Sequence, residues 1–244
     1  MRTFRLLRLI RLPAGCTLLE YISATGEQFI DTGIKLRTPD DRVYMKFKCT
    51  KVGTGGFLFG NRKSATEYCF SSHYTKDSFT KTDACFAITI DNSSYDNNRW
   101  ATGSYGKKDF LNQFMEIEAS LAGISVYRNG IANNGNAAFE PRNQDVFETM
   151  GTCTVLKGVA IEGGNIGVDT GCIGNLYRFR IERNAAIIQD LVPVRDPDGV
   201  ACLYDLVSGT YFRNAGTGMF GEGPVVVTPA YSEIWQDTSS AVTL

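Results

Sequence analysis

The sequence predicts an all-β chain folded as one antiparallel sandwich, and three observations predict it. Short runs place an apolar residue at every second position, the pattern of a half-buried strand. Turn-forming residues separate those runs, with 25 glycines among 244 residues to supply them, and 15 Phe with 11 Tyr favour strands. No long segment shows sustained helical periodicity with caps, so a doubly wound α/β fold is excluded. The length suits one large β-domain, and no repeat of fixed period is evident.

The opening segment MRTFRLLRLIRLP carries Arg2, Arg5, Arg8 and Arg11 and no acid, so residues 1–12 form a basic arm on a chain whose net charge is −1. Arg5, Arg8 and Arg11 interrupt the apolar residues, which is unlike the unbroken apolar core of a secretory signal. Two roles fit the arm. One is a first strand or short helix packed on its own domain. The other is insertion into a partner protein, with Arg2, Arg5, Arg8 and Arg11 facing acidic surface and Phe4, Leu6, Leu7, Leu9 and Ile10 buried.

Residues 13–224 form the sandwich. RVYMKFKC (42–49) places Val43, Met45, Phe47 and Cys49 on one face, against Tyr44, Lys46 and Lys48 on the other. CFAITID (85–91), QFMEIEAS (113–120) and GISVYR (123–128) read similarly, and NLYRFRIE (175–182) alternates Tyr177, Phe179 and Ile181 with Arg178, Arg180 and Glu182. Asn129-Gly130 supplies the two positive φ angles of a type I′ hairpin turn. DPDG (196–199) and VSGT (207–210) are further turns, while 92–98 and 133–144 read as polar loops. Residues 225–244 are a C-terminal extension: a β-branched run, Val225 to Thr228, then a polar end holding Trp235, which fits an added strand or a docking segment.

Composition excludes several function classes. No apolar stretch approaches the roughly 20 residues of a membrane-spanning helix. A pI near 5.9 argues against nucleic-acid binding through bulk basicity. The seven cysteines (16, 49, 69, 85, 153, 172, 202) contain no C-x-x-C pair, so they read as small buried hydrophobes with free thiols in a reducing cytoplasm. One histidine, His73, is too few for a multi-histidine metal site, and its polar context reads as an exposed or hydrogen-bonded loop. Asp31, Asp91, Asp169 and Asp205 are oxygen ligands of the kind calcium takes, but nothing resembles an EF-hand loop; calcium is unsupported and no cofactor is expected.

Catalytic motifs fail on context. Gly216-Thr-Gly218-Met-Phe-Gly221 matches a dinucleotide-binding pattern only literally, because Glu-Gly-Pro follows where a helix is required. These glycines read as turn glycines. Glu116 and Glu118 share a strand face, as the paired carboxylates of sandwich glycosidases do, but Ser120 stands where a third acid belongs. They read as solvent-facing charge. The chain is therefore expected not to be an enzyme.

Both ends of the domain carry more specific patterns. LPAGCTLLEYISATGEQFIDTGI (12–34) resembles the opening of a family of concanavalin-like, laminin-G-like jelly-roll proteins from phages and prophages of gut bacteria. LYRFRIERNAAIIQDLVPVRDPDGVACLYDLVSGTYFRNAGTG (176–218) is similar to that family's closing segment. Cys16 and Phe29 stand where tyrosine is usual. The resemblance implies a concanavalin-like jelly-roll sandwich in which Asp205 accepts turn hydrogen bonds and Asn214, Gly216 and Gly218 close the domain near its start. It also implies a non-enzymatic virion component, tail-associated, fibre or capsid-decorating, assembled in the bacterial host cytoplasm. Other virion proteins would hold it by the arm, a homo-oligomer with a trimer preferred would display it, and host-surface glycans would be its ligands. The alternatives are a secreted or surface bacterial carbohydrate-binding module and, last, a glycan hydrolase.

Sugar binding needs an aromatic surface with amides and carboxylates beside it. Tyr95, Asp96, Asn97, Asn98, Trp100 and Tyr105 supply that chemistry in one segment and are the candidate ligand residues. The competing reading buries Trp100 in the core and packs Tyr95 and Tyr105 at strand ends, the commoner fate of aromatics in sandwiches.

Overall fold

A computed structural model of the chain describes residues 11–51, 55–61, 69–76, 83–91, 99–101, 105–106, 110–120, 123–132, 137–138, 148–159 and 171–227. Its strands are β1 (Thr17–Leu18), β2 (Ile22–Thr25), β3 (Ile30–Asp31), β4 (Asp41–Lys51), β5 (Gly55–Asn61), β6 (Cys69–Lys76), β7 (Asp83–Asp91), β8 (Arg99–Ala101), β9 (Tyr105–Gly106), β10 (Met115–Ser120), β11 (Gly123–Arg128), β12 (Ile131–Ala132), β13 (Ala137–Ala138), β14 (Thr154–Val155), β15 (Ile173–Arg183), β16 (Ala186–Arg195), β17 (Ala201–Asp205), β18 (Tyr211–Phe212) and β19 (Gly221–Glu222).

These form two sheets. The larger runs β12-β11-β10-β4-β15-β16-β17-β18, with β2 and then β19 beside β15, β1 beside β16 and β13 beside β11. The smaller runs β3-β14-β5-β6-β7-β8, with β9 beside β7. Neighbouring strands are antiparallel throughout the two central ladders. The chain passes repeatedly from one sheet to the other: β2 and β4 lie in the larger, β3 and β5 to β9 in the smaller, β10 to β13 in the larger again, and β14 in the smaller. This interleaving defines the molecule as an all-β jelly-roll sandwich of the concanavalin-like kind.

Strand periodicity builds the core. Val43, Met45, Phe47 and Cys49 of β4 are fully buried, as are Met115 and Ile117 of β10 and Phe179 and Ile181 of β15. From the smaller sheet Leu58, Phe59 and Phe70 join the same cluster, and the Phe59 and Phe179 rings meet across the two sheets at 5.9 Å. A second cluster lies over β16 and β17, where Val192, Val194, Cys202 and Tyr204 are covered by Leu12, Cys16, Leu18, Leu206 and Tyr211. Of the described cysteines, Cys49, Cys153, Cys172 and Cys202 are buried free thiols and Cys16 is a partly buried one. Burial pushes the Cys202 thiol up to about 12.

Two sequence expectations change. His73 sits on β6, opposite Phe57 and Ala87, and is 1% exposed, so it is a buried strand residue and not a loop residue. The polar run Ser71-Ser72-His73 hid the strand, because it lacks the apolar alternation that marks β4. Tyr177 does not share a face with Phe179 and Ile181. A bulge pairs Leu176 with Phe47 and Arg178 with Lys46, so Tyr177 has no partner on β4 and the phase resets. Leu176 takes the core position and Tyr177 turns outward.

The turn and closure residues act as their motifs imply. Asn129 and Gly130 both have positive φ, 51° and 77°, and join β11 to β12. The Asn214 side chain accepts hydrogen bonds from Phe29 N (3.0 Å) and Gly216 N (2.9 Å) and donates to Gly218 O (2.9 Å), fastening the closing segment to the start of the domain. A Cβ on Gly216 would lie 2.1 Å from Glu27 O, so the approach admits only glycine. Beyond β19 the chain continues along β1, with Glu20 N donating to Pro224 O (2.8 Å) and Val226 N to Leu18 O (2.9 Å), so the start of the C-terminal extension is an added edge pairing.

Asp196 gives the domain an acid limb. Burial raises its carboxyl, but hydrogen bonds from Val200 N (2.9 Å) and Asp198 N (3.0 Å), with the Arg213 guanidinium at 2.5 Å, outweigh burial and hold it below the usual carboxylate range. A depressed folded value contributes stability above the unfolded value of about 3.9, and that contribution is lost as pH falls through the folded one. In urea titrations between pH 5 and 2, Asp196→Asn should start less stable and decline less steeply than the wild type; equal slopes would contradict the assignment.

Candidate functional site

The segment singled out by sequence is only partly described. Tyr95, Asp96, Asn97 and Asn98 lie outside the described residues. Trp100 occupies the position on β8 opposite Ile88, and Tyr105 the position on β9 opposite Ala84. The register row through Trp100 and Ile88 continues to Ser72 and then Phe59, a core residue. Arg2, Phe4, Arg5 and Arg8 of the arm lie outside the described residues too; Arg11 is exposed, and Leu12 packs on the second cluster.

The described surface with the richest chemistry is the outer face of the larger sheet. Met115, Ile117 and Ala119 point into the core, so Phe114, Glu116 and Glu118 take the opposite phase. Glu116 accepts a hydrogen bond from Tyr44 Oη at 3.0 Å and pairs with Lys46 Nζ at 3.2 Å. Burial, and then the Glu116 charge, pushes the Tyr44 phenol well up, which keeps it a hydrogen-bond donor. Further along the sheet Arg178 holds Asp190 through Nε at 2.8 Å and Nη2 at 2.5 Å, and Arg180 pairs with Glu182 at 2.8 Å while its guanidinium lies 5.3 Å from the Tyr44 ring. This stretch is a lattice of matched charges.

Toward the other end of β15 the lattice gives way to aromatic rings. Tyr177, expelled by the bulge, stands between two neighbours: Tyr21 at 5.3 Å with planes at 60°, and Phe114 at 4.9 Å, edge to face. Phe114 is 38% exposed, enough to present ring surface to solvent. Its backbone is clamped to the β11–β12 turn, since Phe114 N donates to Asn129 Oδ1 (3.1 Å), Asn129 N to Phe114 O (2.8 Å) and Asn129 Nδ2 to Gln113 Oε1 (2.8 Å). Lys48 Nζ lies 4.1 Å from the Phe114 centroid and Lys46 Nζ 5.6 Å, a pair of cation–π contacts. Burial raises the Tyr177 phenol, opposed by a hydrogen bond with Asn175. Rings, an amide and ammonium groups thus stand together where β4 and β15 meet the residues just before β2 and β10.

Sequence reading missed this group for a specific reason. Strict alternation assigned Tyr177 to the core, and a bulge is invisible to a period-2 count. Phe114 carried a usable signal, because an aromatic in the polar phase of QFMEIEAS belongs to the exposed face.

A concavity of about 320 Å³ is lined by Gly33, Ile34, Lys35, Arg37, Glu148, Arg183 and Ile188. Its guanidiniums are matched already: Arg183 to the buried Asp41 at 2.7 Å and Arg37 to Glu148 at 2.6 Å. Among the described residues no group of three or more His, Cys, Asp or Glu side chains is placed to hold a metal ion. Asp31 accepts from Gly33 N (3.0 Å), and Asp205 is spent on its turn; Asp91 is described by its backbone, and Asp169 lies outside the described residues.

Fold and face together describe a jelly-roll sandwich with an aromatic patch beside its larger sheet. No family model matches the chain, and no curated protein does. Among solved structures it is similar to the heptameric SAP-like pentraxin of Limulus polyphemus (TM-score 0.38, 11% identity, 68% of this chain and 74% of that one). It is also similar to a candidate carbohydrate-binding protein of Bacteroides ovatus (TM-score 0.44, 13% identity, 86% and 59%) and to the extracellular region of zebrafish Gpr126/Adgrg6 (TM-score 0.43, 12% identity, 84% and 26%). The chain thus spans about a quarter to three quarters of the length of these three structures. The strand order given above defines the jelly roll independently of these likenesses.

Proposed function

We propose that the chain is a non-enzymatic display module of a phage particle whose jelly roll binds host-surface glycans through Tyr21, Phe114 and Tyr177. The observation that carries the binding half is the three-ring cluster, its Phe114 exposed and its two tyrosines half-buried, with Lys46, Lys48 and Asn175 around it. Saccharide C–H faces stack on such rings, while amide and ammonium groups serve the hydroxyls. The virion half is supported by the resemblance of residues 12–34 and 176–218 to phage jelly-roll proteins. The non-enzymatic half is supported by Glu116, whose carboxylate is committed to Tyr44 and Lys46.

On a glycan array, Tyr177→Ala and Phe114→Ala should each lose about three- to tenfold in signal, the scale of one stacking contact. Their thermal midpoints should stay near that of the wild type. Trp100→Ala should unfold more easily and, while folded, bind normally; loss of binding without destabilisation would return the site to 95–105. Deleting residues 1–10 should leave a folded protein that no longer joins particles in mass spectra of purified virions. Presence in host secretions alone would overturn the virion reading in favour of a secreted carbohydrate-binding module.

A further inference from the structure

We propose that this face selects saccharides carrying a ring-borne carboxylate, with Lys48 as the pairing cation. The inference rests on the glycan reading above and deepens it. Two lysines approach Phe114, and they differ in one respect. Lys46 bridges Glu116 at 3.2 Å, so its charge is matched. Lys48 forms no ion pair among the described residues, and its ammonium instead rests 4.1 Å from the Phe114 centroid, beside an exposed ring.

Its place on the strand follows from register. Phe47 pairs with Met115, so Lys48 lies one position along β4 toward Phe114, while on the other side it pairs with Asn175 of β15. Lys48 therefore sits on β4 between the Phe114 side and β15, the strand that carries Tyr177. A sugar stacked on these rings would hold a carboxylate attached to its own ring within reach of Lys48 Nζ. The contact with Phe114 can persist at the same time, because a lysine has three N–H donors and the ring occupies one side.

The test compares one backbone in two charge states, oligogalacturonate and its fully methyl-esterified form, by calorimetry. Wild type should bind the acid about three- to fivefold more tightly, the scale of an exposed ion pair, with the preference shrinking as salt rises. Lys48→Gln should bind both forms alike at the affinity of the ester, while Lys51→Gln, an exposed lysine at the end of the same strand, should keep the preference. An acid preference that survives Lys48→Gln, or equal binding of the two forms by wild type, overturns the proposal. If neither form binds while neutral glycans still depend on Tyr177 and Phe114, the selectivity falls and the glycan reading stands; if no glycan binds at all, both fall.

Discussion

Asp205→Ala should cost about 3 kcal/mol or more of folding stability, a midpoint drop of roughly 6–12 °C for a domain of this size. Asp205 is 2% exposed and accepts four hydrogen bonds. Oδ1 takes Asp190 N (2.8 Å) and Val207 N (3.1 Å), and Oδ2 takes Ser208 N (3.2 Å) and Ser208 Oγ (2.6 Å). The carboxylate therefore stitches β16 to the turn leading into β18, and truncation strands buried N–H donors at once. Ser208→Ala, which removes one bond and leaves no buried backbone donor unpaired, should cost under 1 kcal/mol. Equal costs for the two variants, read from chemical denaturation, would show that Asp205 is not the organising acceptor.

Phe179→Ala should be as severe, about 3–5 kcal/mol. Phe179 is fully buried on β15 of the larger sheet, and its ring meets Phe59 of the smaller one, so truncation opens a cavity between the two layers. Phe59→Ala should cost a similar amount. The double variant should fall short of the sum, because the two rings share one contact. Strict additivity in the double-mutant cycle would remove the Phe59–Phe179 contact from the account.

These effects also show how far the sequence is legible. RVYMKFKC reads correctly as a strand because β4 is central, regular and buried on one face, so hydrophobic period and structure coincide. Asp205 and Asn214 are readable in role because short polar side chains at turns have few other uses. Local irregularity is what escapes: the bulge at Leu176–Arg178 moves Tyr177 from the core face to the surface, and no composition or spacing rule marks it. The candidate face escapes for the same reason, since Tyr21, Phe114 and Tyr177 come from three distant segments and meet only through strand register. The segment 95–105 is legible because its aromatics and amides are adjacent in sequence, whereas a surface assembled by a sheet joins residues far apart in the chain.

The most direct test of the account is a residue-resolved NMR titration of the folded protein with a glycan that binds it on the array. The account predicts shifts concentrated at Tyr21, Lys48, Phe114, Asn129 and Tyr177, on the outer face of the larger sheet. Shifts confined to residues 92–105, with those five positions unmoved, would contradict it.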